Sequence, residues 1–259
     1  MIEFIDIGCD VGEGFGVYSY GYDQEVMELI TSANIACGFH AGDPVIMRET
    51  IDLAAGLGVA VGAHPGLPDL LGFGRRPMKA PVQDLCDYVI YQIGALEAFC
   101  RLAGVKIEHV KFHGALARMS AEDRGLAAAL ATRIRSYSKD LILVASAGSA
   151  LEEAGIELGL TVASEVLVDR GYDSAGRLIP VRDPGGVVSD PQRVLEQVEE
   201  VVARSRVKTG GGYMPLQQVH TLGFHYGTTG IETVREIHRS LKMMGTKVMP
   251  VGRFPGGPS

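Results

Sequence analysis

Runs of apolar and β-branched residues of strand length alternate along this chain with longer segments whose apolar positions recur at the helical period. The alternation predicts seven strands, at Glu3–Gly8, Ala33–Cys37, Val59–Gly62, Ile107–Phe112, Leu141–Ala145, Thr161–Glu165 and His220–Phe224. It also predicts seven helices, at Gln24–Thr31, Pro44–Leu57, Pro81–Ala103, Ala121–Tyr137, Ala150–Gly159, Pro191–Arg204 and Ile231–Met244. Successive β-then-α units are typical of a parallel sheet covered by helices. Because no GxGxxG turn follows the first strand, we expect an α/β fold closed into a distorted seven-stranded (β/α) barrel rather than an open doubly wound sheet.

Local signals refine this pattern at helix starts and in two loops. An N-cap followed by a proline at the first helical position is predicted at Asp43-Pro44 and at Asp190-Pro191, and Ser120 is predicted to cap the helix after it. Two long segments rich in Gly, Pro, Asp and Arg, Pro65–Lys79 and Val168–Gly186, each follow a predicted strand. Loops of this length in a compact domain are usually functional.

Length and composition favour one globular domain. The chain has 259 residues, of which 46% are hydrophobic and 21% charged, so we expect a single barrel domain over residues 1–250 and a flexible tail at 251–259. The formal net charge of −7 offers no basic surface for nucleic acid, and no apolar run reaches membrane-spanning length. The acidic N-terminus is unlike a signal peptide, and the four cysteines show no CxxC spacing. These features predict a cytoplasmic protein with reduced thiols.

Polar and ionisable residues collect at the predicted carboxyl ends of the strands, the face on which (β/α) barrels build their active sites. The candidate catalytic residues are Asp10 and Glu13 after the first strand, His40 after the second, His64 after the third, Lys111 and His113 on the fourth, Glu165 on the sixth and His225 after the seventh. Alternation along a strand places Lys111 and His113 on the same side of the sheet. The pattern therefore predicts one site at this rim.

Structural interpretations of some of these residues remain open. Asp10 and Glu13 lie among glycines and could form turns, and Asp169-Arg170 could be only a structural ion pair. We expect structural roles for the remaining histidines, His109, His220 and His238, and a place in the core for Cys37. The glycine-rich run 208–212 lacks the spacing of a P-loop.

Two mechanisms fit this set of residues. In the first, acids and histidines move protons around an amide or lactam carbonyl, and Lys111 stabilises oxyanion or phosphoryl charge. In the second, Asp10, His40 and His64 bind a divalent metal ion that activates water, as in metal-dependent deacetylases. Because the chain has no HxH or HExxH spacing, such a metal site would be assembled from separate strands.

Motifs spread over nearly the whole chain resemble those of the LamB/YcsF family. The matching segments are Asp10-Val11-Gly12-Glu13-Gly14, the block from Ser32 to Pro44, Gly62-Ala63-His64-Pro65, Gly72-Phe73-Gly74-Arg75-Arg76-Pro77-Met78, Tyr91 to Leu96, His109-Val110-Lys111, His113-Gly114-Ala115-Leu116, Ser164-Glu165-Val166 and Asp169-Arg170-Gly171-Tyr172. The resemblance implies a distorted seven-stranded barrel and ATP-dependent opening of the lactam 5-oxoproline to L-glutamate. It also implies two partner subunits, to which the binding of ATP could belong.

The chain departs from the family pattern at four places on the presumed rim. Gly8 replaces an asparagine, Phe112 replaces a proline, Ala117-Arg118 replaces Tyr-Asn, and His225-Tyr226-Gly227 replaces His-Gly-Asp. Loss of buried hydrogen-bond partners would weaken the orientation of a small polar substrate, and Arg118 adds a charge suited to a different anion. The candidate substrate-binding residues are Asn34, Asp43, Arg118, Asp169 and Arg170.

Three functions are therefore carried forward. The first is a hydrolase that opens a lactam or cyclic amide, with ATP and two partner subunits. The second is a stand-alone metal-dependent deacetylase or amidohydrolase on the same scaffold. The third is a homologue that binds a metabolite or partner subunits without catalysis.

Overall fold

Seven parallel strands form a closed barrel in the computed structural model, which describes residues 2–18, 23–255 and 257. In the order around the barrel, the strands are β1 (Phe4–Val11), β2 (Ser32–Ala36), β3 (Ala60–His64), β4 (Ile107–Lys111), β5 (Ile142–Ser146), β6 (Val162–Leu167) and β9 (Thr221–Phe224). The barrel closes because β1 pairs in parallel with both β2 and β9. Two short strands, β7 (Arg206–Thr209) and β8 (Gly212–Pro215), form a separate antiparallel hairpin, and β10 (Lys247–Val248) pairs with the start of β1.

The helices follow the strands in the order expected of β/α units. They are α1 (Asp23–Met27), α2 (Pro44–Leu57), α3 (Val82–Ala103), α4 (Gly114–Glu122), α5 (Arg124–Tyr137), α6 (Ala150–Glu157), α7 (Pro191–Arg204), α8 (Tyr226–Thr229) and α9 (Ile231–Met243). Short 3-10 helices occur at Leu70–Gly72 and Val251–Arg253. None of the helices in the described part of the chain is long and apolar enough to cross a membrane.

The two faces of each strand serve different purposes. On β1, Ile5, Ile7 and Cys9 are fully buried in the large apolar cluster that also contains the inner faces of the helices. The alternate positions Asp6 and Gly8 line the barrel interior. Because side chains alternate with a period of two, an apolar outer face and a polar inner face come from one continuous segment. The main apolar core therefore lies between strands and helices, and the barrel interior is left for polar groups.

All seven predicted barrel strands are present, with shifted boundaries. β1 runs to Val11, three residues beyond the predicted end, so that Asp10 lies on the strand and not after it. The hairpin β7–β8 and the short strand β10 were not predicted. The hairpin is mostly exposed, and its residues lack the apolar run from which barrel strands are recognised.

The predicted helix Ala121–Tyr137 is wrong at its start. The structure has two helices here, α4 and α5, and Asp123 caps the second by accepting hydrogen bonds from the backbone N–H groups of Gly125 and Leu126. Ser120 is not a cap, since its hydroxyl donates to the carbonyl of Ala117 inside α4. Asp123, another favoured N-cap residue three positions after Ser120, caps the helix instead.

The segment after residue 250 packs against the barrel. Val251 is buried with Ile142, Val144 and Ala163 at the amino-terminal end of the barrel, and Phe254 packs against this group. The packed core therefore extends beyond the predicted domain boundary at residue 250. Of the predicted tail, residues 256, 258 and 259 lie outside the described part of the chain.

Candidate functional site

A buried ion triad lies at the carboxyl end of the barrel. The Lys111 ammonium group on β4 is 3.0 Å from Asp10 Oδ1 and 2.8 Å from Glu165 Oε1. Burial opposes the charge on Lys111, but the two carboxylates outweigh burial and raise its pKa above the ordinary value. Burial alone would raise the pKa of Asp10, but His64 and Lys111 hold it well below its usual range. Lys111 and Asp10 are therefore charged, and the triad fixes an ammonium group near the carboxyl ends of three strands.

A chain of hydrogen bonds beneath the triad orients Asp10. His109 Nε2 donates to Asn34 Oδ1 at 2.9 Å, and Asn34 Nδ2 donates to Asp10 Oδ1 at 2.9 Å. Burial, with the nearby Lys111, lowers the pKa of His109 to about 3, so its ring is neutral. Gly62 makes room for that ring, since a Cβ there would lie 2.0 Å from His109 Nε2. Asn34, predicted to bind substrate, thus bonds Asp10 from inside the barrel.

Three histidines and Glu13 form a second buried cluster beside the triad. The rings of His40 and His113 stack with centroids 3.7 Å apart and planes 3° apart. Burial and the neighbouring histidines lower the pKa of both rings well below the ordinary value. Burial raises the pKa of Glu13. Glu13 Oε1 is 3.4 Å from His40 Nε2 and 3.6 Å from His113 Nδ1.

Backbone carbonyls fix the ring orientations in this cluster, which we call the histidine cluster (Glu13, His40, His64 and His113). His64 Nδ1 lies 2.8 Å from the carbonyl of Lys111, and His113 Nε2 lies 2.9 Å from the carbonyl of Phe73. Since a carbonyl only accepts, each of these nitrogens carries the hydrogen. The opposite nitrogens, His64 Nε2 and His113 Nδ1, face each other at 2.9 Å.

The loop after β3 holds His40 in place. A Cβ on Gly66 would lie 2.5 Å from His40 Nδ1, and a Cβ on Gly74 would lie 2.6 Å from His40 Cβ. Gly74 also has φ of +61°, which favours glycine. The predicted functional loop 65–79 therefore packs directly on the histidine cluster, as its glycine-rich sequence permits.

On the opposite side of the triad, Asp169 orients His225. Asp169 is fully buried and accepts both the backbone N–H of His225 at 2.7 Å and its Nδ1–H at 3.1 Å. The other ring nitrogen, Nε2, points toward Asp10 Oδ2 at 3.9 Å. Burial would lower the pKa of His225, but Asp169 raises it above the ordinary value. Carboxylate, imidazole and a free ring nitrogen are the elements of an oriented general base.

Arg170 organises the second long loop. Its Nε donates to the carbonyl of Gly186 and its guanidinium Nη2 to the carbonyl of Ile179, both at 2.6 Å. Gln197 on α7, which sequence reasoning missed, holds the same segment from below. Its side-chain amide lies 3.1–3.2 Å from the carbonyls of Leu167, Val168 and Arg170. A buried glutamine on a polar helix gives no sequence signal, because its partners lie in another element.

A cavity of about 650 Å³ opens above the triad. Asp10, His64, Lys111, His113, Glu165 and His225 form its floor, together with walls from both long loops and α4. Arg75 and Arg118 line the walls, and among the described residues neither guanidinium has an ion-pair partner. Unpaired guanidinium groups in a cavity wall favour ligands with carboxylate or phosphate groups.

The structure brings together most of the predicted site residues. All eight candidate catalytic residues lie on the floor or in the adjoining histidine cluster, and Arg118, Asp169 and Arg170 surround them. Asp43 is different: it caps α2, as predicted from Asp43-Pro44, by accepting the N–H groups of Val45 and Ile46, and it also accepts the N–H of Gly16. Within the described residues, Asp43 does not line the cavity.

Comparison with known proteins identifies relatives over nearly the full length of the chain. The sequence model of the LamB/YcsF family matches residues 5–255. The chain is 46% identical over 248 residues to the A subunit of 5-oxoprolinase from Symbiobacterium thermophilum, covering 95% of both proteins. It is 44% identical over 248 residues to the protein of the same name from Bacillus subtilis, covering 95% of this chain and 96% of that protein.

Solved structures show the same fold. The crystal structure of a lactam utilization protein from Thermus thermophilus superimposes with a TM-score of 0.87 at 38% identity, covering 95% of this chain and 99% of that one. A putative cellobiose-phosphate cleavage protein from Enterococcus faecalis superimposes with a TM-score of 0.57 at 14% identity, covering 96% of this chain and 97% of that one. At that identity the second likeness concerns the fold alone.

Proposed function

Because this chain belongs to the LamB/YcsF family, we propose that it is the A-type subunit of a hydrolase that opens 5-oxoproline or a related lactam. In this reaction water adds to the lactam carbonyl, the ring C–N bond breaks, and the nitrogen leaves as an amine. The observation that carries the proposal is the Lys111 ammonium group, fixed between two carboxylates at the floor of a cavity that His225 also faces. The names of the relatives supply the class of substrate.

The floor of the cavity has the groups that this chemistry needs. Lys111 stabilises the negative charge that develops on the carbonyl oxygen when water attacks. His225, oriented by Asp169, takes the proton of the attacking water through its free Nε2 and returns it to the leaving nitrogen. Because Asp169 keeps the ring in one orientation, no reorganisation is needed during proton transfer.

The cavity walls suit an anionic substrate. Arg75 and Arg118 lack ion-pair partners among the described residues, so each can receive the α-carboxylate of a 5-oxoproline-like ring or a phosphoryl group. The volume of about 650 Å³ exceeds the needs of one small lactam. That excess leaves room for a phosphorylated form of the substrate or for a segment of a partner protein.

ATP and partner subunits form the finer part of this proposal. Opening of an unstrained lactam is assisted if its carbonyl oxygen is first phosphorylated by ATP. One water then adds to the activated carbon and the C–N bond breaks to give an acyl phosphate, which a second water hydrolyses to the carboxylate and phosphate. The relatives are designated as one subunit of an enzyme, which supports the participation of partner subunits. Two such subunits that carry the ATP chemistry complete the proposal. In that arrangement this chain supplies the hydrolytic site.

The test is to co-express the chain with two candidate partner subunits from its own source and to measure L-glutamate and ADP formed from 5-oxoproline. We expect turnover that requires ATP and all three chains. Lys111→Met should lower kcat by about 100-fold or more, because one oxyanion donor contributes about that factor. The matched control is Lys106→Met, since Lys106 is exposed and lies at the opposite end of β4.

Other outcomes would favour the alternatives. Hydrolysis of amides or acetyl groups by the isolated chain, dependent on added metal and not on ATP, would support the stand-alone metal hydrolase that the histidine cluster makes credible. Ligand-induced stabilisation without turnover by the complete complex would support a non-catalytic binding protein. Wild-type activity of Lys111→Met would contradict the assigned role of this side chain.

A further inference from the structure

The histidine cluster contains buried polar atoms without hydrogen-bond partners. Within the described part of the chain, these are Glu13 Oε1 and both ring nitrogens of His40. His40 is 1% exposed, so water does not reach it freely. A buried polar group without a partner costs about 1–3 kcal/mol, and native structures rarely keep several at one point.

Adding protons to these side chains does not give every buried polar atom of the cluster a partner. With hydrogens on His64 Nδ1 and His113 Nε2, the facing nitrogens present two lone pairs to each other at 2.9 Å, and His64 Nε2 also lies 3.2 Å from Asp10 Oδ2. One added proton between them would relieve that repulsion. It would still leave His40 Nε2 and Glu13 Oε1 without partners. A cation at the centre of the group would bind one atom of each of the four side chains, including Glu13 Oε1 and His40 Nε2, and among the unpartnered atoms of the cluster it would leave only His40 Nδ1.

We infer that Glu13, His40, His64 and His113 form a binding site for a divalent transition-metal ion. One ligand atom from each residue lies within 4.8 Å of all the others. A tetrahedral ion with bonds of about 2.1 Å keeps its ligand atoms about 3.4 Å apart. Three of the six separations in this cluster are 2.9 Å between His64 Nε2 and His113 Nδ1, and 3.4 Å and 3.6 Å from Glu13 Oε1 to His40 Nε2 and His113 Nδ1, and the other three lie within 4.8 Å.

The ligands and their surroundings define the class of ion. Three imidazole nitrogens and one carboxylate oxygen suit Zn²⁺, Co²⁺ or Ni²⁺, whereas Mg²⁺ and Ca²⁺ prefer oxygen ligands. The hydrogen bonds from His64 and His113 to backbone carbonyls are the outer contacts that orient metal-binding rings. This set differs from the one expected from sequence, since Glu13 and His113 take part and Asp10 lies beside the cluster.

The location connects the site to the cavity. His64 and His113 line the 650 Å³ cavity, and Glu13 lines a smaller one of about 110 Å³ that shares Asp10 and His225 with it. His40 lines neither and closes the site from behind. An ion held here would face the space in which the substrate is proposed to bind. The inference concerns binding by this chain alone and does not depend on which lactam, if any, is hydrolysed.

The experiment measures metal binding by the full-length chain without an affinity tag, partner subunits or substrate. After removal of metals with a chelator, Zn²⁺ is titrated by calorimetry, and Co²⁺ is titrated by absorption spectroscopy. We expect about one equivalent of Zn²⁺ and the intense visible bands of four-coordinate Co²⁺. Mg²⁺ and Ca²⁺ should produce no comparable binding.

Two variants and a matched control decide the assignment. His40→Ala should abolish the Co²⁺ bands and weaken Zn²⁺ binding by more than about 100-fold. Loss of a residue that only orients a metal ligand weakens binding by at most about that factor. Glu13→Gln, which preserves the shape of the side chain, should weaken binding at least about tenfold. His238→Ala is the control, since His238 only bonds the carbonyl of Leu29 outside the barrel.

The inference is overturned if the folded wild-type chain binds neither Zn²⁺ nor Co²⁺. It is also overturned if folded Glu13→Gln binds both ions as tightly as His238→Ala does, which keeps the test decisive even if His40→Ala fails to fold. Circular dichroism establishes folding in each case. Metal binding together with ATP-dependent lactam opening would uphold both proposals, and metal binding without that activity would remove only the proposed function.

Discussion

At the scale of single residues, the site depends on glycines that make room for histidines. Gly62 faces His109, and Gly66 and Gly74 face His40, each at a distance that leaves no space for a Cβ. Glycine is required at these positions because the histidine rings lie so close to the backbone, and not only because of turn geometry. A ring held so tightly keeps one orientation, which the hydrogen bonds to Asn34 and onward to Asp10 require.

Gly62→Ala should therefore destabilise the protein. The new methyl group would overlap the His109 ring, and overpacking of this kind costs about 1–3 kcal/mol of the free energy of unfolding. The matched control is Gly94→Ala in the exposed face of α3, where a Cβ meets nothing within 4 Å. That change should stabilise the protein by about 0.5–1 kcal/mol. Urea unfolding measures both, and equal stabilities would contradict the packing argument.

At the scale of elements, each functional loop is held by the helix beside it. Gln197 on α7 bonds carbonyls at the end of β6, where the loop that contains Arg170 begins. The predicted cap Asp190 starts this helix as expected, accepting the N–H of Gln192. The capping signal was local and could be read from sequence. The hydrogen bonds made by Gln197 join residues about 30 positions apart and could not be predicted from the sequence.

Gln197→Ala should loosen the loop 168–186 without unfolding the barrel. Loss of about 1 kcal/mol of hydrogen bonding makes local opening about fivefold more frequent. Limited trypsin digestion after the exposed Arg177 or Arg182 measures that opening. Gln192→Ala is the control, because Gln192 is exposed on the same helix. Identical cleavage rates for the two variants would show that Gln197 does not restrain the loop.

At the scale of the whole molecule, the barrel has two apolar regions separated by a polar interior. The larger surrounds the strands, and the smaller closes the amino-terminal end with Val251, Ile142, Val144 and Ala163. The chemistry collects at the carboxyl end, as is usual for such barrels. The apolar closure at the other end shields the interior polar groups from solvent on that side.

Val251→Ala tests whether the segment after residue 250 belongs to the folded domain. Removing two buried methyl groups should lower the free energy of unfolding by about 1–2 kcal/mol. Val17→Ala provides the comparison, since Val17 is 93% exposed and should leave stability within about 0.5 kcal/mol of wild type. Thermal and urea unfolding give the two values. If Val251→Ala lowers the free energy of unfolding no more than Val17→Ala does, the segment after residue 250 does not belong to the folded domain.

The sequence by itself determined the seven-strand order, the helical cover and the rim on which Asp10, His64, Lys111 and His225 lie. These follow from periodicity and from local capping, which are properties of neighbouring residues. Only the tertiary structure decided which side chains meet: Lys111 with Glu165 across three strands, Asp169 with His225, and Glu13 with three histidines. It also showed that Asn34 bonds Asp10. Such contacts depend on barrel closure and strand register, which join residues far apart in the chain.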